Sequence, residues 1–86
     1  MTTLRQMRFL VALADTTNFS RAAEICNVTQ STLSTGLKEM EARLGVQVAE
    51  RSTHSVLMTS IGMALAERAR EILAKAADFE AAAHAE

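Results

Sequence analysis

Residues 27–45 read NVTQSTLSTGLKEMEARLG, and the order of polar and apolar side chains in this stretch decides how the chain folds. Asn27-Val28-Thr29 reads as a tight turn. Thr29 is a good helix N-cap, because its hydroxyl oxygen can accept a bond from a backbone N–H that the first helical turn leaves without a partner. With Thr29 as the cap, Val28 lies just outside the helix and Leu33 at its fourth position, the spacing of a hydrophobic staple that fixes the angle of chain entry. Leu33, Leu37, Met40 and Leu44 follow at i, i+4, i+7 and i+11 and form one stripe to be buried. Gly45 stands where a left-handed C-terminal cap is expected. The opposite face carries Gln30, Ser31, Ser34, Thr35 and Lys38.

Working outward, Leu4, Met7, Leu10, Val11 and Ala14 recur at helical spacing and predict a first helix from about Thr3 to Ala14. Asp15 to Asn18 is a polar break. A second, short helix is expected from Ser20 to Cys26, capped by Asn18 or Ser20, with Ala22, Ala23, Ile25 and Cys26 supplying buried surface. Downstream, Val46, Val48 and then Val56-Leu57-Met58 flank the polar run Arg51-Ser52-Thr53-His54-Ser55, which reads as two short strands joined by a hairpin. Thr59 caps a last helix that continues to about His84 through alanine-rich sequence. Within it, Leu65, Ala69, Ile72, Ala76, Phe79 and Ala83 are spaced as the seam of a coiled coil. A helix of roughly 25 residues is about 38 Å long, more than a domain of this size can cover. Its seam must meet another helix. The expected fold is therefore mainly α: a winged helix-turn-helix over residues 1–58, with three helices and a two-stranded wing, followed by a dimerisation helix over 59–86.

Composition agrees. The 86 residues contain no proline, tryptophan or tyrosine, only three glycines, and 49% hydrophobic residues, a balance that favours helix and leaves room for one small core. A single cysteine, Cys26, closes no intrachain disulfide, and the opening Met-Thr-Thr-Leu lacks the pattern of a leader, so the chain is read as cytoplasmic. No stretch is apolar enough for a membrane span. The net charge of −1 mixes two regions. Six Arg or Lys stand against five Asp or Glu from Met1 to Met58, and three against five from Thr59 to Glu86. The positive excess is weak for a nucleic-acid binder, but it lies in the first region.

Two helices joined by a short turn, the second bearing small polar side chains outside, is the arrangement that enters a DNA major groove. Bulky groups there would hold the helix off the bases. Gln30 can pair its amide with the N6 and N7 edge of adenine, Ser31, Ser34 and Thr35 can donate to base edges or phosphates, and Lys38 can neutralise a phosphate. The helix N-terminus adds backbone donors for a phosphate.

Phe19-Ser20-Arg21-Ala22-Ala23-Glu24 followed by Val28-Thr29-Gln30-Ser31-Thr32-Leu33-Ser34 resembles the helix-turn-helix signature of LysR-type transcription regulators. Leu37, Glu41, Leu44-Gly45-Val46, Glu50-Arg51, Leu57, Thr59 and Gly62 extend the resemblance across nearly the whole chain. Cys26 and Thr32-Leu33-Ser34 are similar to the peroxide-sensing members. The resemblance implies sequence-specific binding of double-stranded DNA at a pseudo-palindromic operator by a homodimer joined through the long helix, with a tetramer left open for a longer protein. It also implies a following two-lobed effector domain, to which none of these residues corresponds. The implied DNA-contacting set is Arg21, Thr29, Gln30, Ser31, Ser34, Thr35 and Lys38, with Arg51 and His54 around the wing.

Three departures from the family pattern stand out. Ser31 replaces a frequent proline, Ala49 an aromatic residue that would pack under the wing, and the stretch from Thr35 to Glu39 is poor in arginine. Gly36 inside a helix costs about 1 kcal/mol relative to alanine, which points to a close approach by another helix or the phosphate backbone.

Other readings are blander. Cys26 is expected to be a small buried hydrophobe rather than a redox sensor. Met40, Met58 and Met63 are expected in the core. Arg51 either contacts DNA or pairs with a local acid, and His54 either touches a minor groove or is solvated. His54 and His84 are too isolated for a metal site, and neither a cofactor motif nor a converging nucleophile, base and acid points to an enzyme. The rival to DNA binding is a winged-helix module that dimerises and binds protein without affinity for DNA.

Overall fold

In the computed structural model, which describes residues 1–52 and 55–85, four helices surround one core and a two-stranded antiparallel wing lies against it. The helices are α1 (Leu4–Thr16), α2 (Phe19–Cys26), α3 (Gln30–Leu44) and α4 (Ser60–Ala82); the strands are β1 (Ala49–Arg51) and β2 (Val56–Met58).

Side-chain caps set most of the boundaries. Thr3 and Gln6 form a reciprocal capping box that starts α1, each side chain bonding to the other's backbone N–H, at 3.1 and 3.0 Å. Helix α1 runs two residues past its expected end, because Thr16 bonds back to the Ala12 carbonyl before Thr17 turns left-handed at φ 50°. Of the two candidate caps for α2, Asn18 is used, its side chain accepting from the Arg21 N–H. Thr29 caps α3 and Thr59 caps α4, as their positions predict.

Leu10, Leu13, Leu33, Met40 and Val48 are the largest fully buried side chains. Each such aliphatic residue contributes about 1.5–3 kcal/mol when removed from water. Phe9, Ala12, Ala22, Ala23, Leu37, Val56 and Ala66 complete the same cluster. Gly36 does face another helix: a Cβ there would stand 2.7 Å from the Phe9 ring of α1.

Some expectations need correction. The α3 stripe ends at Met40, since Leu44 is 45% exposed beside the helix end. Ile25 points outward from α2 at 64% exposure, because α1 and α3 both lie on the Ala22 and Ala23 side. Met63 is also exposed, whereas Met40 is buried and Met58 packs partly against the core. The first strand starts at Ala49, not at Val46. Val48 is instead held between helices: its N–H donates to Glu41 Oε2 at 2.7 Å and its carbonyl accepts from the Thr59 N–H at 3.0 Å.

Helix α4 is part of the core at its start and leaves it further on. Ala66 and Ala69 are buried, and Arg70 reaches Asp15 at the end of α1, with its two terminal nitrogens 2.6 and 3.3 Å from the carboxylate oxygens. Beyond Ile72 the helix projects, giving a molecule 51 Å long and 25 Å by 19 Å across.

Candidate nucleic-acid interface

Because the buried stripe of α3 faces α1 and α2, its other side is left at the surface. Gln30, Ser31, Thr35 and Lys38 are exposed there and Ser34 is half-buried. Together with Arg51 they line one open groove of about 420 Å³. Side chains alternate along a strand, which explains why Arg51 reaches this face. Ala49 and Arg51 lie on the side of β1 that meets Ser34 and Lys38, while Glu50, between them, takes the opposite side. Among the described residues the hydroxyls of Ser31, Ser34 and Thr35 bond to no protein group, so their donors are available to an external partner.

The electrostatics match. Both ion pairs among the described residues belong to Arg70, so Arg21, Lys38 and Arg51 have no carboxylate partner there. Arg51 therefore does not pair with Glu50. Its guanidinium lies 3.8 Å from the centre of the Phe19 ring. Ring and cation attract through the negative face of the π system. At the other end of the groove, the Ser20 hydroxyl donates to Gln30 Oε1 at 2.9 Å.

The structure thus gathers Gln30, Ser31, Ser34, Thr35, Lys38 and Arg51 from the candidate set. Arg21 is exposed on α2 and does not line the groove. Thr29 is at the surface, but its hydroxyl is occupied: it accepts from the Thr32 N–H at 3.1 Å and donates to Thr32 Oγ1 at 2.9 Å. His54 lies outside the described residues. Phe19 and Ser20 were not among the candidates although both touch groove residues. Their partners are distant in sequence, and no local spacing links an aromatic at the start of α2 to an arginine in the wing.

The candidate dimerisation seam divides in two. Leu65 is half-buried and Ala69 buried, both within their own chain, where Leu65, Ala69 and Ile72 meet Leu10 and Met40 across an apolar cleft. Ala76 is half-buried, whereas Ile72 is 43% and Phe79 77% exposed, and Ala83 is exposed. No helix of the described residues is long and apolar enough to cross a membrane, and no group of metal-ligating side chains converges among them.

Residues 4–63 match the family described as "Bacterial regulatory helix-turn-helix protein, lysR family". The chain belongs to the LysR family. Among curated LysR-family relatives it is 44% identical over 70 residues to the DNA-binding transcriptional dual regulator OxyR of Escherichia coli K12, a match covering 81% of this chain and 23% of that protein. The chain thus spans about a quarter of the length of such relatives. It superposes on a full-length OxyR variant from Pseudomonas aeruginosa with a TM-score of 0.94 at 40% identity, over 99% of this chain and 29% of the other. The DNA-binding domain of CbnR, solved as a complex with DNA, gives a TM-score of 0.89 at 32% identity, over 96% and 95% of the two chains. The resemblance read from residues 19–34, including its leaning toward the peroxide-responsive members, accords with these likenesses.

Proposed function

We propose that this LysR-family chain binds double-stranded DNA sequence-specifically as a homodimer, α3 entering the major groove and the wing lying along the adjacent minor groove. The observation that carries the reading is the groove in which Gln30, Ser31, Ser34, Thr35, Lys38 and Arg51 meet, its two cations without a carboxylate partner among the described residues. Likeness to a domain solved on DNA supports it. Gln30 reads a base edge, the hydroxyls of Ser31, Ser34 and Thr35 bond to bases or phosphates, and Lys38 and Arg51 neutralise phosphates. Arg21 and the exposed N-terminus of α3 at Thr29 flank them and contact the backbone. His54 belongs to the same set through the family pattern. Two copies join through the outer part of α4, where Ile72, Ala76, Phe79 and Ala83 form an apolar line that lies largely at the surface, Ile72 at 43% and Phe79 at 77% exposure. Twofold symmetry then sets two half-sites in a pseudo-palindromic operator. The domain division at residue 58 is retained as a division of tasks, DNA reading before it and pairing after it. Such a regulator works where the bacterial chromosome is, in the cytoplasm, and it does so by binding, not by catalysis.

The test is selection of bound duplexes from a random pool, followed by substitution. An inverted repeat is expected. Gln30→Ala should cost about 1–3 kcal/mol and relax preference at one base position, whereas Lys38→Ala should weaken all sequences alike and reduce the salt slope by about one unit. Unchanged binding of both selected and scrambled duplex by Gln30→Ala overturns the assignment. The weak positive excess over residues 1–58 favours one alternative, a dimeric protein-binding module. A mobility shift with random duplex at low salt separates the two, since only the first reading predicts a retarded complex.

A further inference from the structure

Phe19 and Ser20 open α2 and belong neither to the buried stripe of α3 nor to its exposed face, yet each holds a residue of the groove. A glutamine at a helix start is free to turn either end of its amide outward. The 2.9 Å bond from the Ser20 hydroxyl to Gln30 Oε1 removes that freedom. It ties the carbonyl end toward α2, leaves that oxygen one lone pair, and leaves both N–H donors of Nε2 for another partner. Arg51 has a similar problem, because a long cation loses rotamer freedom when it is immobilised at an interface. Stacking 3.8 Å from the centre of the Phe19 ring restricts it beforehand. Phe19 is itself fixed, being partly buried against the core cluster.

We infer, building on the DNA-binding reading above, that Phe19 and Ser20 are positioning residues for recognition: Ser20 sets the base choice made through Gln30, and Phe19 sets the reach of Arg51. Neither needs to touch DNA. The start of α2 is thereby a template on which the two ends of the reading face are arranged before any duplex arrives, so that less order has to be created on binding.

The experiment takes the duplex enriched by the parent chain from a random pool and measures affinity for it and for its variants at the base position that Gln30→Ala relaxes. Ser20→Ala should lower affinity for the enriched duplex roughly threefold to tenfold, the worth of one hydrogen bond. The loss should fall at that base position alone. Ser20→Thr, which keeps the donor, should retain discrimination, and Ser20→Cys, of similar size with a much weaker donor, should reproduce Ser20→Ala. Adding Ser20→Ala to Gln30→Ala should change nothing further. Phe19→Leu should weaken every duplex alike and lower the salt slope as Arg51→Ala does, Phe19→Tyr should restore it, and the Phe19→Leu and Arg51→Ala losses should not add. Melting temperatures of Ser20→Thr and Phe19→Tyr near the parent's show that the fold is intact. Additive losses in either pair, or a Ser20→Ala loss spread evenly over all positions, overturn the inference while leaving DNA binding in place. A parent chain that enriches no sequence sinks the DNA-binding reading itself, and this inference with it.

Discussion

Gly62, in the first turn of α4, lies directly against the backbone of Val48: a Cβ at position 62 would stand 2.7 Å from the Val48 carbonyl carbon and 2.9 Å from its Cα. The obstacle is main chain, which no rotamer change can move aside. That same carbonyl accepts from the Thr59 N–H, and the Thr59 hydroxyl donates to the Gln47 carbonyl at 2.6 Å. Gly62→Ala should therefore destabilise the chain by about 1–3 kcal/mol despite alanine's better helix propensity of roughly 1 kcal/mol. Urea unfolding measures this, and a midpoint equal to or above the parent's refutes the packing argument.

Asp15 and Arg70 tie the end of α1 to α4. The hydrogen bond from the Arg70 guanidinium holds the Asp15 carboxyl below its ordinary value of 3.8, burial opposes the shift slightly, and the Arg70 charge reinforces it. A depressed carboxyl stabilises the fold fully above its unfolded value and loses that contribution as pH falls through the folded one. Both side chains are partly exposed, so the gain is modest and weakened by salt. Asp15→Asn should melt below the parent at neutral pH and converge with it in strongly acidic buffer. A gap that persists at low pH rules out the ion pair as its source.

Ala49 stands under the wing, beside a cleft of about 240 Å³ whose apolar wall includes Leu13, Phe19, Leu37 and Val48. An aromatic side chain fits this chemistry. Ala49→Phe should stabilise by about 0.5–2 kcal/mol, as cavity-filling substitutions commonly do, which at about 4–8 °C per kcal/mol is visible in a thermal melt. A lower melting temperature would mean that the cleft cannot accept the ring.

Phe79, on the outer half of α4, is 77% exposed, whereas Phe9 in the core is 2% exposed. If two copies pair through the outer half of α4, Phe79→Lys should weaken self-association by about 2 kcal/mol or more, the scale of an aromatic anchor at an interface. Sedimentation equilibrium over a concentration series measures it. An unchanged dimer, or a parent that is monomeric throughout, excludes this seam.

Cys26 sits half-buried at the end of α2, its thiol 3.7 Å from the Arg8 carbonyl. Burial pushes the thiol above its ordinary value of 9.0, and the charge of Arg8 offsets only part of this. Since the thiolate is the reactive form, alkylation near neutral pH should be several-fold slower than for free cysteine and should rise with pH. Rapid labelling at neutral pH would contradict the blander reading of this residue.

Much of this architecture was legible because it is written in local chemistry. Thr29, Gly45 and Thr59 sit at the boundaries their side chains or backbone dictate, and Leu33, Leu37 and Met40 turn inward at helical spacing. The close approach marked by Gly36 was legible too, and what escaped depends on a second element. Ile25 keeps the spacing of a buried residue yet faces solvent, since only one side of so short a helix can be covered. Val48 has the alternation of a strand residue, but its N–H is taken by the Glu41 carboxylate from α3. The polar face of α3 could be read directly, whereas the Phe19–Arg51 and Ser20–Gln30 contacts join segments whose proximity only folding creates.

The bond between Asp15 and Arg70, with Ala66 and Ala69 buried beside it, clamps one end of a 23-residue rod. Such a rod is a lever with no joint at its base. Its outer half is continuous with the part packed on α1, so any load placed on the projecting end bears directly on the core instead of being absorbed at a hinge.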